Sequence, residues 1–334
     1  MDLEKRTSSP TSSSKSTKSE TSINPIVHES EEMRSIVDII DRIAKSNINV
    51  IITGESGTGK ELIAKEIHNK SNRCNKQFVV INCASLTEDL FDSDLFGHIR
   101  GSFTGAIADK TGFVEKANGG TLYLDEITSL NPNMQAKLLR FAQNGEYSRV
   151  GEGTTLKSDV RIISSTNKKL ENEIRNNSIR EDLFYRLNTI VLRIPSLRKR
   201  KEDIPALVRN FMGSTIKDVT PEAMEIFVKY PWPGNVRELI NCIERIKIML
   251  PKETAGKRNI ITLDDIPADV KKLAKNADGL SSTSPQKLDD IEREHILNAL
   301  QFYNGNKSKT SAALGITLKT LYNKLNKYEV EGWI

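Results

Sequence analysis

The chain has 334 residues, 37% hydrophobic and 28% charged, enough to bury a substantial core. At roughly 100–200 residues per domain it should form two or three domains. Lys and Arg number 49 against 44 acidic residues, a net charge of +5 that is compatible with nucleic acid but does not establish it. No apolar run approaches the ~20 residues that span a bilayer, and Cys74, Cys83 and Cys242 lack the number and spacing of a disulfide framework or zinc site.

Residues 1–22, rich in Ser, Thr and Lys, have neither hydrophobic periodicity nor the apolar core of a signal peptide. They are expected to be a disordered tail on a cytoplasmic protein. Order should begin near Ile23, and Met33, Ile36, Ile40 and Ile43 then share one helical face. Five short apolar strands follow, "NVIIT" (49–53), "QFVVI" (77–81), "TLYLD" (121–125), "DVRIISS" (159–165) and "TIVLRI" (189–194), alternating with helical patterns. Continuous Val, Ile and Leu runs of this length predict a parallel sheet covered on both faces, so residues 23–198 read as an α/β domain. Strand signals stop there, and 199–251 reads as a small helical subdomain. A linker is expected over 252–286, where charge mixes with Gly, Ser and Pro, and a compact helical unit over 287–334.

"GESGTGK", 54–60, matches G-x-x-x-x-G-K between a strand and a helix. Backbone N–H groups of Gly54, Glu55, Ser56, Gly57, Thr58 and Gly59 would form an anion nest at a helix N-terminus, and Lys60 would reach the β and γ phosphates. Glu61 follows, where Ser or Thr would usually ligate magnesium, so the metal must be held by phosphates, waters and another carboxylate. Asp125 and Glu126 end the strand "TLYLD" suitably. Asp125 would hold magnesium through water, and Glu126 would orient and deprotonate the attacking water.

"GHIRGSFTGA", 97–106, suits neither a helix nor a buried strand. Gly101 and Gly105 would let the loop extend or fold back, and Phe103 offers an aromatic anchor for a partner surface. At the far end, "NKSKTSAALGITLKTLYNKLNKY" reads as helix, turn, helix, with Gly315 ending one helix and Thr317 capping the next. Leu318, Leu321 and Leu325 should pack inward. Lys319, Thr320, Asn323, Lys324 and Lys327 lie largely on the other face. From Tyr303 to Tyr328 there are five lysines and no acidic residue, as a recognition helix entering a major groove requires.

The ordered motifs "GESGTGKE", "FGHIRGSFTGA", "GGTLYLDEI", "REDLFYRLN" and "WPGNVRELIN" resemble the sigma-54-dependent transcriptional activators, AAA+ ATPases also called bacterial enhancer-binding proteins. The resemblance covers roughly residues 25–250 and 287–328. It implies a P-loop ATPase with a parallel sheet flanked by helices, a helical lid at 199–251, and a Fis-type, dimerising helix-turn-helix unit that binds double-stranded enhancer DNA. The Lys60–Glu61 pair is usual in that family. By resemblance, Gly101, Ser102, Phe103, Thr104, Gly105 and Ala106 touch sigma-54, with Ser102 where alanine is commoner. Asn82 matches a switch residue that pairs with Glu126, and Thr166 with Asn167 a γ-phosphate sensor. Arg180 and Arg186 match arginine fingers acting in trans, and Arg237 a second sensor on the lid.

Fingers in trans imply a ring, usually a hexamer, whose ATP hydrolysis with Mg2+ drives the loops against sigma-54 RNA polymerase holoenzyme. The polymerase would then pass from a closed to an open complex. A DNA-binding regulator that has lost the sigma-54 contact, or an AAA+ unfoldase or clamp loader, are the alternatives; the intact Phe103–Thr104 opposes the first and the helix-turn-helix unit the second. No receiver or ligand-sensing domain fits within 22 residues, so control is expected from a partner protein or from expression level.

Overall fold

In a computed structural model of the chain, residues 26–213, 216–250, 260–281, 288–303 and 305–330 are described; the expected disordered tail lies outside them. Two compact units divide near residue 270.

The first unit is built on five parallel strands: β1 (Val50–Thr53), β2 (Phe78–Asn82), β3 (Thr121–Asp125), β4 (Arg161–Thr166) and β5 (Ile190–Arg193), in the order β2-β3-β4-β1-β5. All five match the expected runs to within two residues. Their unbroken apolar character follows from coverage on both faces. Val50 and Ile52 point toward one cluster with Ile36, Ile40, Ile63 and Ile67, and Ile51 points toward another with Leu122, Leu138 and Phe141. The first cluster is covered by α1 (Glu31–Ala44) and α2 (Lys60–Asn69), the second by α3 (Glu88–Leu95) and α4 (Pro132–Asn144). Burying each such side chain contributes about 1.5–3 kcal/mol.

One cation lies inside this framework. Arg161 is 1% exposed, and its guanidinium donates to the carbonyls of Ile43, Ala44 and Ile48. The last carbonyls of α1 lack helical partners, so Arg161 satisfies them and ties α1 to the sheet. Burial pushes its pKa down to about 10.

A helical lid continues the unit through α6 (Ile204–Met212), α7 (Pro221–Lys229) and α8 (Asn235–Met249), after the short α5 (Glu181–Leu187). Within the expected linker, residues 260–281 are described and carry regular structure. Ile260–Ile261 pairs in parallel with Asp218–Val219, and Ala268–Ser281 is helical. Ile266, Val270 and Ala274, four residues apart, are its buried stripe.

Beyond Ala268–Ser281, most of which falls in the second unit, that unit's described residues form the helices Leu288–Phe302, Lys307–Ala313 and Leu318–Val330. Its core is Ile296, Leu321, Leu325 and Tyr328, flanked by Leu314 and Ile316. Leu321 and Leu325 pack inward as expected, but Leu318 is 41% exposed. As the first helical residue it projects back past its own cap, and Ile316 fills the inward place.

Candidate active site and contact loops

Asn82 and Asp125 end the neighbouring strands β2 and β3, and the P-loop leaves the same carboxyl edge from β1, beyond β4, where open α/β sheets place their ligands. A cavity of about 620 Å³ opens there. Gly57, Lys60, Glu61, Asn82, Asp125, Glu126, Asn167 and Arg237 supply polar lining, and Leu62, Phe211, Val236 and Ile240 form an apolar wall.

The loop at 54–60 has the required shape. Gly57 and Gly59 have φ of +77° and +100°, and a Cβ on Gly57 would lie 2.3 Å from the carbonyl oxygen of Gly234. Lys60 Nζ donates to Gly54 O at 3.0 Å and sits 3.4 Å from Glu126 Oε1, almost fully buried. The loop's outer side is gripped by residues that sequence reasoning passed over. Arg198 forks onto the Glu55 carboxylate at 2.5 and 2.8 Å and holds its pKa below the usual carboxylate value. Asn235, fully buried, donates Nδ2 to Ser56 O at 2.9 Å and accepts from Leu197 N at 2.8 Å. Arg200 donates to Thr58 O at 2.9 Å. Arg237, which the sequence did single out, reaches Ser56 Oγ at 3.1 Å.

The two adjacent carboxylates are held differently. Asp125 Oδ1 accepts from Ser165 Oγ at 2.5 Å and from Tyr123 OH at 3.1 Å, while Oδ2 makes no hydrogen bond among the described residues. Glu126 has a left-handed backbone, φ +56°, uncommon outside glycine and asparagine. Its Oε2 accepts from the Asn167 N–H at 3.0 Å.

The remaining expected residues are placed as follows. The Asn82 side chain does not pair with Glu126; its Oδ1 accepts from Ala84 N at 3.0 Å and caps the turn after β2. Thr166 is fully buried and its hydroxyl meets that of Thr128 at 2.9 Å, so of the sensor pair Asn167 alone lines the cavity. Arg186 donates to the carbonyls of Ala142 and Gln143 at the end of α4, whereas Arg180 lies on the surface with Asp182 at 2.7 Å. Neither arginine lines the cavity of its own chain.

The loop Gly101–Ala106 caps a hairpin whose stem pairs Gly97–His98 with Lys110–Thr111. Gly101 and Gly105 have φ of +81° and +105°. The loop is folded over rather than extended: Gly101 N donates to Ala106 O and Ala106 N to Phe103 O. Phe103 is 39% exposed, its ring edge-on to the buried His98 at 5.0 Å, and His98 Nδ1 lies 2.8 Å from Ser93 Oγ. Ser102 packs against Gly151 of a second hairpin, Glu146–Tyr147 with Leu156–Lys157, while Thr104 is exposed. Sequence reasoning missed Ile107, which at 85% is far more exposed than Phe103.

In the C-terminal unit Gly315 has φ +67°, and Thr317 Oγ1 caps Thr320 N at 3.1 Å. Lys319, Asn323 and Lys327 are exposed and Thr320 half-buried. The basic face is not free of acid. Lys324 pairs with Glu292 at 2.7 Å, which raises its pKa, and Lys327 lies 3.8 Å from Asp289, both carboxylates coming from the preceding helix.

A P-loop after the first strand of a parallel five-stranded sheet, with paired acids on β3, one strand removed from it across β4, and a lid arginine over the loop, defines a P-loop ATPase of the AAA+ class. The chain belongs to the sigma-54-dependent regulators: residues 26–193 match the Sigma-54 interaction domain. Residues 198–283 match the AAA+ ATPase lid domain and 287–328 the bacterial regulatory protein, Fis family. It is 42% identical over 310 residues to the transcriptional regulatory protein ZraR of Klebsiella oxytoca, covering 90% of this chain and 68% of that protein. Identity to the Nif-specific regulatory protein of Azotobacter vinelandii is also 42%, over 92% of this chain and 59% of the relative. The crystal structure of NtrX from Brucella abortus in complex with ADP aligns with a TM-score of 0.66 at 34% identity, covering 91% of this chain and 68% of that one. The chain is therefore an ATPase that carries a sigma-54 interaction domain and a Fis-type DNA-binding unit. Among the described residues no helix is long and apolar enough to cross a membrane.

Proposed function

We propose that this ATPase, bound to upstream DNA, uses hydrolysis to move the Gly101–Ala106 loop against sigma-54 and so opens the promoter complex held by sigma-54 RNA polymerase. The observation that carries this is the continuity from cavity to loop. Asn82 lines the cavity and caps the turn Cys83–Ser85, which leads through α3 into the hairpin bearing Phe103. A change in what Asn82 bonds is thereby a change in how α3 and the hairpin are held.

Within the site, Glu126 would deprotonate the attacking water once phosphate draws Lys60 away from it. Asn167 would report the γ-phosphate, since its N–H already holds the Glu126 carboxylate. Asp125, with its unbonded oxygen at the cavity, and the phosphates would hold magnesium, which would neutralise developing charge. Arg180 and Arg186 would complete a neighbour's site, worth on the order of 10³–10⁵ in rate for such fingers. Activity would then require a ring, by family a hexamer. Lys319, Thr320, Asn323, Lys324 and Lys327, with Thr317 at the helix start, would face the DNA.

Open-complex formation on a sigma-54 promoter is the test. Phe103→Ala should keep ATP hydrolysis within about twofold and lose promoter opening, because the anchor for sigma-54 is gone. Equal promoter opening by variant and wild type would overturn the proposal.

A further inference from the structure

A phosphate-binding loop works only if its peptide N–H groups turn inward, and something must hold the carbonyls outward. In a trans peptide C=O and N–H lie in one plane and point in opposite directions. A donor that captures a carbonyl from outside therefore aims the next N–H at the phosphates. Gly59, with φ of +100° and no neighbour within 4 Å of a Cβ position, has no packing of its own to fix that direction. Arg200 supplies the constraint: Nη2 donates to Thr58 O at 2.9 Å.

Arg200 is itself built in. It is 3% exposed, and Asp203, fully buried, lies 3.6 Å from its Nη1. Asp203 accepts from Ser30 N at 2.7 Å and Ser30 Oγ at 3.1 Å, so the residue before α1, the start of the lid and the P-loop form one connected chain. The contrast with Arg161 is informative. All three guanidinium nitrogens of Arg161 donate to carbonyls, as a purely structural buried cation requires. Arg200 leaves Nε buried without an acceptor among the described residues, a cost that a merely structural arginine would have no reason to carry.

We propose that Arg200, held by Asp203, is a positioning residue for ATP hydrolysis, keeping the Thr58–Gly59 peptide turned so that Gly59 N–H faces the nucleotide phosphates. This rests on the nucleotide site and is independent of the sigma-54 contact. The loop grips the phosphates in ground and transition state alike, so loss of Arg200 should raise KM and leave kcat alone.

The test uses the full chain, with KM and kcat for ATP, equilibrium binding of a fluorescent ADP, and a nucleotide-free melt. The double variant Arg200→Met with Asp203→Asn leaves no buried charge unpaired. It should raise KM and the ADP Kd about tenfold, with kcat within about twofold of wild type. Arg200→Lys, which keeps a donor and the charge, should recover part of the affinity. Unchanged ADP affinity in both folded variants, or a fall in kcat at constant KM, overturns the inference. Should the double variant not fold, Arg200→Gln decides it: having lost the charge and the reach to hold both Thr58 O and Asp203, it should raise KM and the ADP Kd severalfold, and wild-type values in it would count against the role. A wild-type chain that failed to bind ADP would instead overturn the nucleotide site itself.

Discussion

Two glycine loops in the first unit use the same residue for opposite ends. In the P-loop, Gly57 is required by crowding as well as by φ, because the lid backbone at Gly234 leaves no room for a Cβ. In the hairpin loop, Gly101 and Gly105 are required by φ alone and face open space. The P-loop is gripped from outside by Arg198, Arg200, Asn235 and Arg237. Around the hairpin tip the ties are local: four backbone hydrogen bonds within the loop or to its flanking residues Ile99 and Ile107, one ring contact to His98, and the seat of Ser102 on Gly151. A site that holds reacting atoms in place is over-determined; an element that must move is held by few, weak and local contacts.

The largest effect should come from the chemical centre. Glu126→Gln keeps the shape of the side chain and its acceptor for the Asn167 N–H but cannot take a proton. Hydrolysis should fall about 10²–10⁴-fold while ATP binding survives. Residual hydrolysis near the wild-type rate would break the distinction by moving catalysis elsewhere.

Glycine replacement probes the comparison directly. Gly57→Ala must displace the lid backbone and should abolish measurable nucleotide binding. Gly101→Ala meets nothing and carries only the left-handed backbone strain, about 1–2 kcal/mol. It should leave KM for ATP unchanged and alter only promoter opening. Parallel titrations of ADP into both variants check this, and equal losses would mean the two loops are held alike.

The P-loop was legible because its signal is local: an apolar run, a glycine-spaced loop and a helical pattern in immediate succession. The same holds for Thr317 as a cap and for the five strands. What escaped were long-range facts. Arg200 and Thr58 lie 142 positions apart, and nothing in "LRKRKED", where the strand signals stop, marks it as the outer wall of a phosphate site. The aim of Thr166 was illegible for another reason. Every residue of β4 is buried, so no alternation reveals which side chains face the cavity. In the 252–286 segment, the stripe of Ile266, Val270 and Ala274 was present but outweighed by flanking Gly, Ser and Pro. The acids that meet Lys324 and Lys327 lie one helix upstream of the stretch whose charge looked purely basic.

The smallest effect concerns the junction of the two regions. Cys83 opens the turn that Asn82 caps, is 1% exposed, and its pKa is pushed up to about 12, first by burial and then by the charges of Asp125 and Glu126. The folded protein therefore holds this proton more tightly than the unfolded chain, whose thiol titrates near 8.5. The contribution is fully present below about pH 8.5 and is lost as pH rises toward 12, so stability should decline across that window. At pH 8 the exposed Cys74 should be alkylated first and Cys83 should be protected, both with and without nucleotide. Mass mapping of brief iodoacetamide labelling reads this. If Cys83 reacted as fast as Cys74, the turn would open as readily as the hairpin tip, and the rigid half of the molecule would have to end at Asn82 rather than extend into α3.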